Sequence, residues 1–322
     1  MSTNCLVIAD SQDIFYNKLS VVNYLSTKHD SVYLKLGFNL KYGLSHIIQA
    51  PNVYLEGESI NIIDLKNVTL SDELNAVYGC KPLNYISGGR LGDMIQSLSV
   101  INEMYLKYGR RGNLYIYVGS HNGFNFEAFS CNMDLTYNDT YNTITKQPYI
   151  NEYKIFTNEH IDVNLSEWRL SPLIFKANWV DLYTECYNID WGSEKWLSVP
   201  KHDMWRNTVF INVSIIRFPD SVNYNELYAR YGESLVFISP ADDLYLNFVK
   251  KTSLPIQLYK PATFTDLCVA VNSCKLLIAG LSAVLTIGNA LDVPRIVLLQ
   301  SSGNDNSHNI GLDKYWNTIS YN

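Results

Sequence analysis

Between residues 208 and 299 short apolar runs alternate with helix-length segments, and no other feature of the chain constrains its fold as much. Val209-Phe-Ile-Asn-Val-Ser214, Leu235-Val-Phe-Ile238, Ile256-Gln-Leu258, Leu276-Leu-Ile-Ala279 and Arg295-Ile-Val-Leu-Leu299 read as strands. The stretch around Leu227 and residues 244–251, 265–272 and 282–291 read as the helices between them. Strands that alternate with helices in this way pair in parallel, because the helix carries the chain back across the sheet. The expected fold class is therefore α/β, with a doubly wound parallel sheet.

The first half opens in the same manner. Cys5-Leu-Val-Ile-Ala9 is a strand, residues 13–27 have helical spacing (Ile14, Leu19, Val22, Leu25), and Val32-Tyr-Leu-Lys-Leu36 is a strand closed by Gly37. Ile60-Asn-Ile-Ile63 is a further strand, and Leu83-Asn-Tyr-Ile86 leads into a helix. That helix carries Met94, Leu98, Ile101 and Tyr105 on one apolar face, with Gln96, Asn102, Glu103 and Lys107 away from it and Gly109 as its stop. Leu114-Tyr-Ile-Tyr-Val118 is the next strand. Residues 120–165 are rich in Asn, Thr, Tyr and Asp and read as long loops with short elements. Residues 188–206 hold Gly, Pro and three tryptophans, which reads as a domain joint with the tryptophans packed across it.

At 322 residues the chain suits two domains. The expected organisation is a Rossmann-like acceptor-binding domain over 1–195, a Rossmann-like nucleotide-sugar-binding domain over 207–312, and a tail, 313–322, packing back on the first. A composition of 47% hydrophobic and 17% charged residues permits a sizeable core. The net charge of −6, without a block of like charges, argues against nucleic acid or an anionic membrane as the main partner, though a local basic groove stays compatible with it. Six scattered cysteines form no CxxC pair, so neither a disulfide scaffold nor a zinc ribbon is expected. No membrane span and no signal segment stand out, and a cytoplasmic location is expected. Oligomeric state is not legible.

In open α/β sheets, ligands bind beyond the carboxyl ends of the strands. Two such loops carry chemistry. The first is Ser87-Gly-Gly-Arg-Leu-Gly-Asp93. No Lys-Ser/Thr follows its last glycine, so it is not a P-loop. Gly88, Gly89 and Gly92 let the backbone approach a ligand closely, with Arg90 among them. Asp93, placed at the N-cap of the following helix, either caps it or takes a proton from a hydroxyl in a cleft, and one residue can do both. The second loop runs from Leu276-Leu-Ile-Ala through Gly280 into a helix starting at Ser282, with Thr286 one turn on. Its free amides and dipole make an anion site. Arg217, in Ser214-Ile-Ile-Arg-Phe-Pro219, lies after the first strand of the second half, at the same edge, and can neutralise a diphosphate.

These two loops together resemble the heptosyltransferase-type glycosyltransferases, the ADP-heptose family of the two-domain GT-B fold, in which two Rossmann-like domains face a cleft. That family has a Gly-Asp dipeptide at a strand–helix turn and a run close to xxDSGPMHLAAALGVP, over which Leu281 to Pro294 lies without gaps. Ser282, Ala290, Leu291, Val293 and Pro294 match, whereas the family's Asp, first Gly and His are Leu281, Ala283 and Thr286 here. Phe264-Thr-Asp-Leu-Cys-Val-Ala-Val271 and Ile216-Arg-Phe-Pro219 resemble two further family segments. The likeness covers residues 83–118 and 207–300.

The resemblance implies an inverting, metal-independent glycosyltransferase with no cofactor, moving a sugar from a nucleotide-sugar donor to a glycan hydroxyl. Asp93 would be the general base, with Gly88, Gly89, Arg90, Gly92 and His121 around the acceptor. Gly280, Ser282, Thr286, Ser214 and Arg217 would hold the diphosphate. The base and ribose would sit near Pro240, Asp242, Phe264, Thr265 and Asp266. Two alternatives stay open: a phage- or virus-type enzyme of this fold acting on a modified DNA base, which 24 tyrosines and abundant Asn and Ile would suit, and a non-catalytic sugar-nucleotide binder, which the replaced Asp and His would suit.

Overall fold

A computed structural model describes residues 4–9, 19–26, 28, 31–36, 48–49, 60–64, 66, 82–88, 90–117, 120–121, 124–125, 133–174, 176–191, 194–299 and 318–321. Tertiary contacts divide the chain into two compact units that interleave in sequence. Unit 1 is Met1–Ser87, Ile101–Ile116 and Pro148–Leu165, and unit 2 is Gly88–Val100, Tyr117–Gln147 and Ser166–Asn322. Residues 188–206 fall inside unit 2.

Unit 1 holds two parallel sheets. The first is built from β1 (Asn4–Ala9), β2 (Ser31–Leu36), β3 (Ile48–Gln49) and β4 (Ile60–Asp64), with α1 (Leu19–Ser26) between β1 and β2. Its strand order is β3-β2-β1-β4. Val22 and Leu25, two residues of the expected apolar face, are buried in α1, as is Val21; Ile14 and the Leu19 side chain lie outside the described residues.

In the chain, β5 (Leu83–Ser87), α2 (Leu91–Tyr108) and β6 (Gly112–Ile116) come next, followed by the short antiparallel pair β7 (Ser120–His121) and β8 (Phe124–Asn125). Then come α3 (Met133–Ile144), β9 (Ile150–Ile155) and β10 (Val163–Asn164). The second sheet has the order β10-β5-β6-β9, parallel throughout. In both sheets the first strand is central, the second and third lie to one side, and the fourth lies to the other.

The glycine that opens β6 is required by packing. A Cβ on Gly112 would lie 2.5 Å from Ile101 Cγ2 and 2.7 Å from a ring carbon of Tyr85, both fully buried side chains of unit 1. Gly112→Ala is therefore expected to destabilise the protein by about 1–3 kcal/mol through overpacking, read as a lower midpoint in urea at unchanged slope; an unchanged midpoint would refute this account.

Unit 2 carries α4 (Trp179–Tyr187) and the alternation that dominates the sequence. It runs β11 (Val209–Asn212), α5 (Tyr224–Tyr231), β12 (Leu235–Ile238), α6 (Asp242–Thr252), β13 (Gln257–Tyr259), α7 (Phe264–Ser273), β14 (Leu276–Ala279), α8 (Ala283–Ala290), β15 (Arg295–Leu298) and β16 (Thr318–Tyr321). The order β13-β12-β11-β14-β15-β16, all parallel, is a doubly wound sheet whose direction of winding reverses between β11 and β14. Phe237, Phe248, Phe218 and Tyr224 pack edge and face beneath it, with Phe237 and Phe248 5.0 Å apart. The chain is α/β with parallel sheets, as its pattern predicts.

The structure departs from the sequence reading in three places. Residues 120–165 contain the twelve-residue helix α3 and the six-residue strand β9. The apolar face that would announce α3 is largely replaced by buried hydroxyls: Thr140 and Thr143 are almost fully buried, and the Thr143 hydroxyl shares a 2.8 Å hydrogen bond with that of Thr265 on α7. Gln96 and Asn102, read as lying off the apolar face of α2, are buried as well. The tail was expected against the first domain; residues 318–321 instead pair in parallel with β15 in the unit 2 sheet. Among the described residues, no helix is long and apolar enough to cross a membrane.

Candidate functional site

The reversal between β11 and β14 leaves a crevice beyond their carboxyl ends, where open α/β sheets take ligands. Asn212, the last residue of β11, ties that edge together. Its Nδ2 donates to Ile238 O at the end of β12 (2.7 Å), its Oδ1 accepts from Ser282 Oγ (2.8 Å), and its main-chain oxygen accepts from Gly280 N (2.9 Å). Ser282 is the N-cap of α8, and its Oγ also accepts from Leu285 N (3.4 Å). The hydroxyl of Ser282 is thus committed within the protein. What the helix end offers a ligand is the first-turn amides of Ala283 and Val284, unpaired by helix geometry, with the positive end of the dipole.

Asp93 is not at the N-cap of α2, where the sequence reading placed it, but is the third residue of the helix. Its Oδ2 accepts from Arg90 N at 2.9 Å, the return half of a capping box. The same oxygen lies 2.9 Å from an Nη of Arg169, an ion pair rather than an aligned hydrogen bond. The Arg169 side chain is only 2% exposed, against 26% for Asp93, and its guanidinium lies 4.1 Å from the centre of the Trp168 ring. Among the described residues, Asp93 Oδ1 accepts no hydrogen bond.

These groups open on one cavity of about 680 Å³, whose lining among the described residues belongs to unit 2. The structure brings Arg90, Gly92 and Asp93 from the first loop to the same cavity as Ser214, Arg217, Ser282 and Thr286 from the second. Two arginines and one aspartate line it, so the cavity is locally cationic in a chain of net charge −6. Trp168 and Trp179 form an aromatic wall, 5.2 Å apart and edge to face; Trp179, Tyr183, Trp191 and Trp196 continue the contacts inward. Burial raises the Tyr183 phenol well above its ordinary ionisation range. Among the described residues, no group of three or more His, Cys, Asp or Glu side chains is placed to hold a metal ion.

Other expected site residues do not line the cavity. Gly88 is buried and donates its N–H to Ser166 Oγ (3.0 Å). Pro240 and Asp242 are exposed, with Asp242 2.6 Å from Lys260 Nζ. Phe264 is core, Thr265 bonds Thr143, and Asp266 sits exposed in the first turn of α7. His121 is in β7; its side chain and Gly89 lie outside the described residues.

Gly92, read as letting a ligand come close, and Gly280, read as helping to hold the diphosphate, both stand against protein atoms. A Cβ on Gly280 would lie 3.2 Å from Val213 Cγ1. Gly92 borders the cavity, but its Cβ would meet Ala283 Cα and Thr286 Oγ1, both at 3.4 Å. Contacts at that distance are ordinary packing, so the start of α2 lies against α8 at Gly92 with room for a Cβ.

The sequence reading missed Gln96, Asn212, Trp168, Trp179, Asn289 and Arg169. Asn289 shares a face with Ser282 and Thr286 by the i, i+4, i+7 rule, a signal present in the sequence. Trp168 and Arg169 come from a stretch with no periodicity.

No protein-family model and no curated protein sequence matches the chain. Among solved structures it is similar to E. coli heptosyltransferase WaaC bound to ADP-2-deoxy-2-fluoro heptose, at 9% identity over 99% of this chain and 93% of that one, with a TM-score of 0.32. It is similar to a family 9 glycosyl transferase from Veillonella parvula (13%, 100% and 87%, TM-score 0.33). It is also similar to the E. coli ADP-heptose lps heptosyltransferase II (11%, 75% and 90%, TM-score 0.46).

Proposed function

We propose that this chain is an inverting, metal-independent glycosyltransferase of GT-B type that moves a sugar from a nucleotide-sugar donor to a glycan hydroxyl. One observation carries the reading: a carboxylate with a disengaged oxygen, Asp93, shares a cavity with an anion-binding helix end and Arg217. Inverting transfer needs this arrangement. The acceptor oxygen attacks the anomeric carbon, its proton passes to Asp93 Oδ1, and the bond from that carbon to the diphosphate oxygen breaks. The nucleoside diphosphate leaves with the electron pair. The Ala283 and Val284 amides, the dipole of α8 and the Arg217 guanidinium stabilise the charge that develops on it. The indole wall suits the apolar face of a sugar or a base. The protein is proposed to work in the cytoplasm; among the described residues Cys186, Cys268 and Cys274 are free thiols, which is compatible with a reducing compartment.

A second reading, a non-catalytic binder of the same ligand, draws on Leu281 and Thr286, which line the cavity where the resembling family carries Asp and His.

The test is a thermal-shift screen with UDP-, GDP-, ADP-, CMP- and dTDP-sugars, with and without Mg²⁺, on the wild-type protein and Arg217→Ala. One nucleotide is expected to stabilise the wild type without Mg²⁺, by about 2.7 kcal/mol at a hundred times its Kd. The shift should be lost in Arg217→Ala. No shift with any of them sinks the reading. A shift without turnover selects the non-catalytic one.

A further inference from the structure

The residues expected around the acceptor are only partly at the cavity. Arg90 and Gly92 line it, Gly88 is spent on Ser166, and Gly89 and the His121 side chain lie outside the described residues. What stands beside the proposed base instead is aromatic.

Trp179 opens α4, is half-buried and lines the cavity. Its ring is fixed by its neighbours. It lies edge to face with Trp168 at 5.2 Å and with Tyr183 at 5.6 Å, and tilted on Trp191 at 6.4 Å. The backbone that carries it is capped, with Asn178 Oδ1 accepting from Asp181 N at 2.9 Å. An indole held in this way has little freedom left to lose when a ligand covers it.

Measured contacts run from this ring to the carboxylate. Trp179 meets Trp168, the Trp168 ring centre is 4.1 Å from the Arg169 guanidinium, and an Nη of Arg169 is 2.9 Å from Asp93 Oδ2. The groups proposed for the diphosphate are carried by other elements, α8 and the turn that holds Arg217. In a nucleotide sugar the base is joined to the sugar through ribose and diphosphate, so it lies at the far end from the carbon that Asp93 serves. An aromatic wall tied to Asp93 therefore meets a sugar rather than the base. Inversion sets acceptor and diphosphate on opposite sides of the anomeric carbon, and it is the acceptor whose hydroxyl must reach Asp93 Oδ1. A pyranose has a face of C–H bonds that an indole covers and a rim of hydroxyls that it leaves free. We propose that Trp179 is the acceptor platform, taking the C–H face of a pyranoside while one hydroxyl of that sugar meets Asp93. This rests on the glycosyltransferase reading of the same cavity.

The test uses Trp179→Leu and Trp179→Phe with the donor that the thermal-shift screen identifies. The acceptors offered are the methyl glycosides of glucose, galactose, mannose and N-acetylglucosamine, and release of the nucleoside diphosphate is followed. At least one glycoside is expected to raise that release in the wild type. Its KM should rise about 10-fold in Trp179→Leu, the scale of one lost aromatic contact, and less in Trp179→Phe, with donor Kd unchanged in both. The chain has six tryptophans, so the fluorescence change caused by the glycoside is read as a difference, and most of the wild-type change should disappear in Trp179→Phe. Should Trp179→Leu not fold, KM and fluorescence of Trp179→Phe decide. Unchanged values would overturn the inference. So would a fall in donor affinity as large as the rise in KM, which would make Trp179 a contact of the donor or a support of the whole cavity. Release raised by none of the glycosides, or only by duplex DNA carrying hydroxymethylated bases, would overturn it as well, and in all these cases the donor reading would stand. A wild type that binds no nucleotide sugar would overturn the donor reading itself, and this inference with it.

Discussion

Asp93→Asn is expected to lower turnover about 10²- to 10⁴-fold, the range for loss of a positioned general base, with donor affinity close to that of the wild type. The substitution separates the two duties of the residue. An asparagine oxygen can still accept from Arg90 N, as Asp93 Oδ2 does at 2.9 Å, so the start of α2 is kept. What is removed is the ability to take a proton on the oxygen that no described residue engages. The measurement is kcat, with the donor identified by thermal shift, set beside the melting temperature of the variant. Turnover equal to the wild type would remove Asp93 from the chemistry and leave it a helix-capping residue.

Arg169→Met is expected to lower kcat about 10²-fold, the cost of a reacting group misplaced by roughly an ångström, with little change in donor Kd. Arg169 touches no proposed ligand position; it acts through Asp93. Its buried guanidinium holds Asp93 Oδ2 at 2.9 Å and itself lies over the Trp168 ring, 4.1 Å from its centre. Methionine replaces the stem and leaves the carboxylate free to turn. Arg169→Lys keeps the charge but not the planar fork of the guanidinium, and should recover part of the loss. A fall in donor affinity equal to the fall in kcat would show that Arg169 serves the fold of the whole cavity rather than the placement of one carboxylate. Because Asp93 is a quarter exposed, water shares the task of solvating it, and the stability change should be smaller than for a fully buried pair.

The second half was legible because each of its elements is decided locally. Five apolar runs alternate with helices, and in the folded chain they become β11 to β15 within a residue or two of the expected bounds. Parallel pairing follows from the connections, and the strand order puts the loops after β11 and β14 side by side. Arg217 and Ser282 could thus be placed at one edge from the sequence. The region 120–165 was opaque for the opposite reason. In and just after α3, stability comes from contacts such as Thr143 with Thr265 and Gln147 with Ser198, made between residues far apart in the chain and invisible to periodicity.

The site divides in the same way. Asp93 and the start of α8 carried signals in their own neighbourhoods: a carboxylate after a glycine loop, and a serine before a helix. Which atoms remain open to a ligand was decided only by tertiary structure. The Ser282 hydroxyl is taken by Asn212, Gly280 stands against Val213, and one oxygen of Asp93 belongs to Arg169. Among the described residues, Asp93 Oδ1 and the Ala283 and Val284 amides remain open. The sequence by itself determined the α/β class, the parallel sheet and the loops that face a ligand, because hydrophobic period and connection length act over a few residues. Hydrogen-bond partners are assigned across the whole fold, so only the tertiary structure decided which side chains in those loops are spent on the protein and which remain for chemistry.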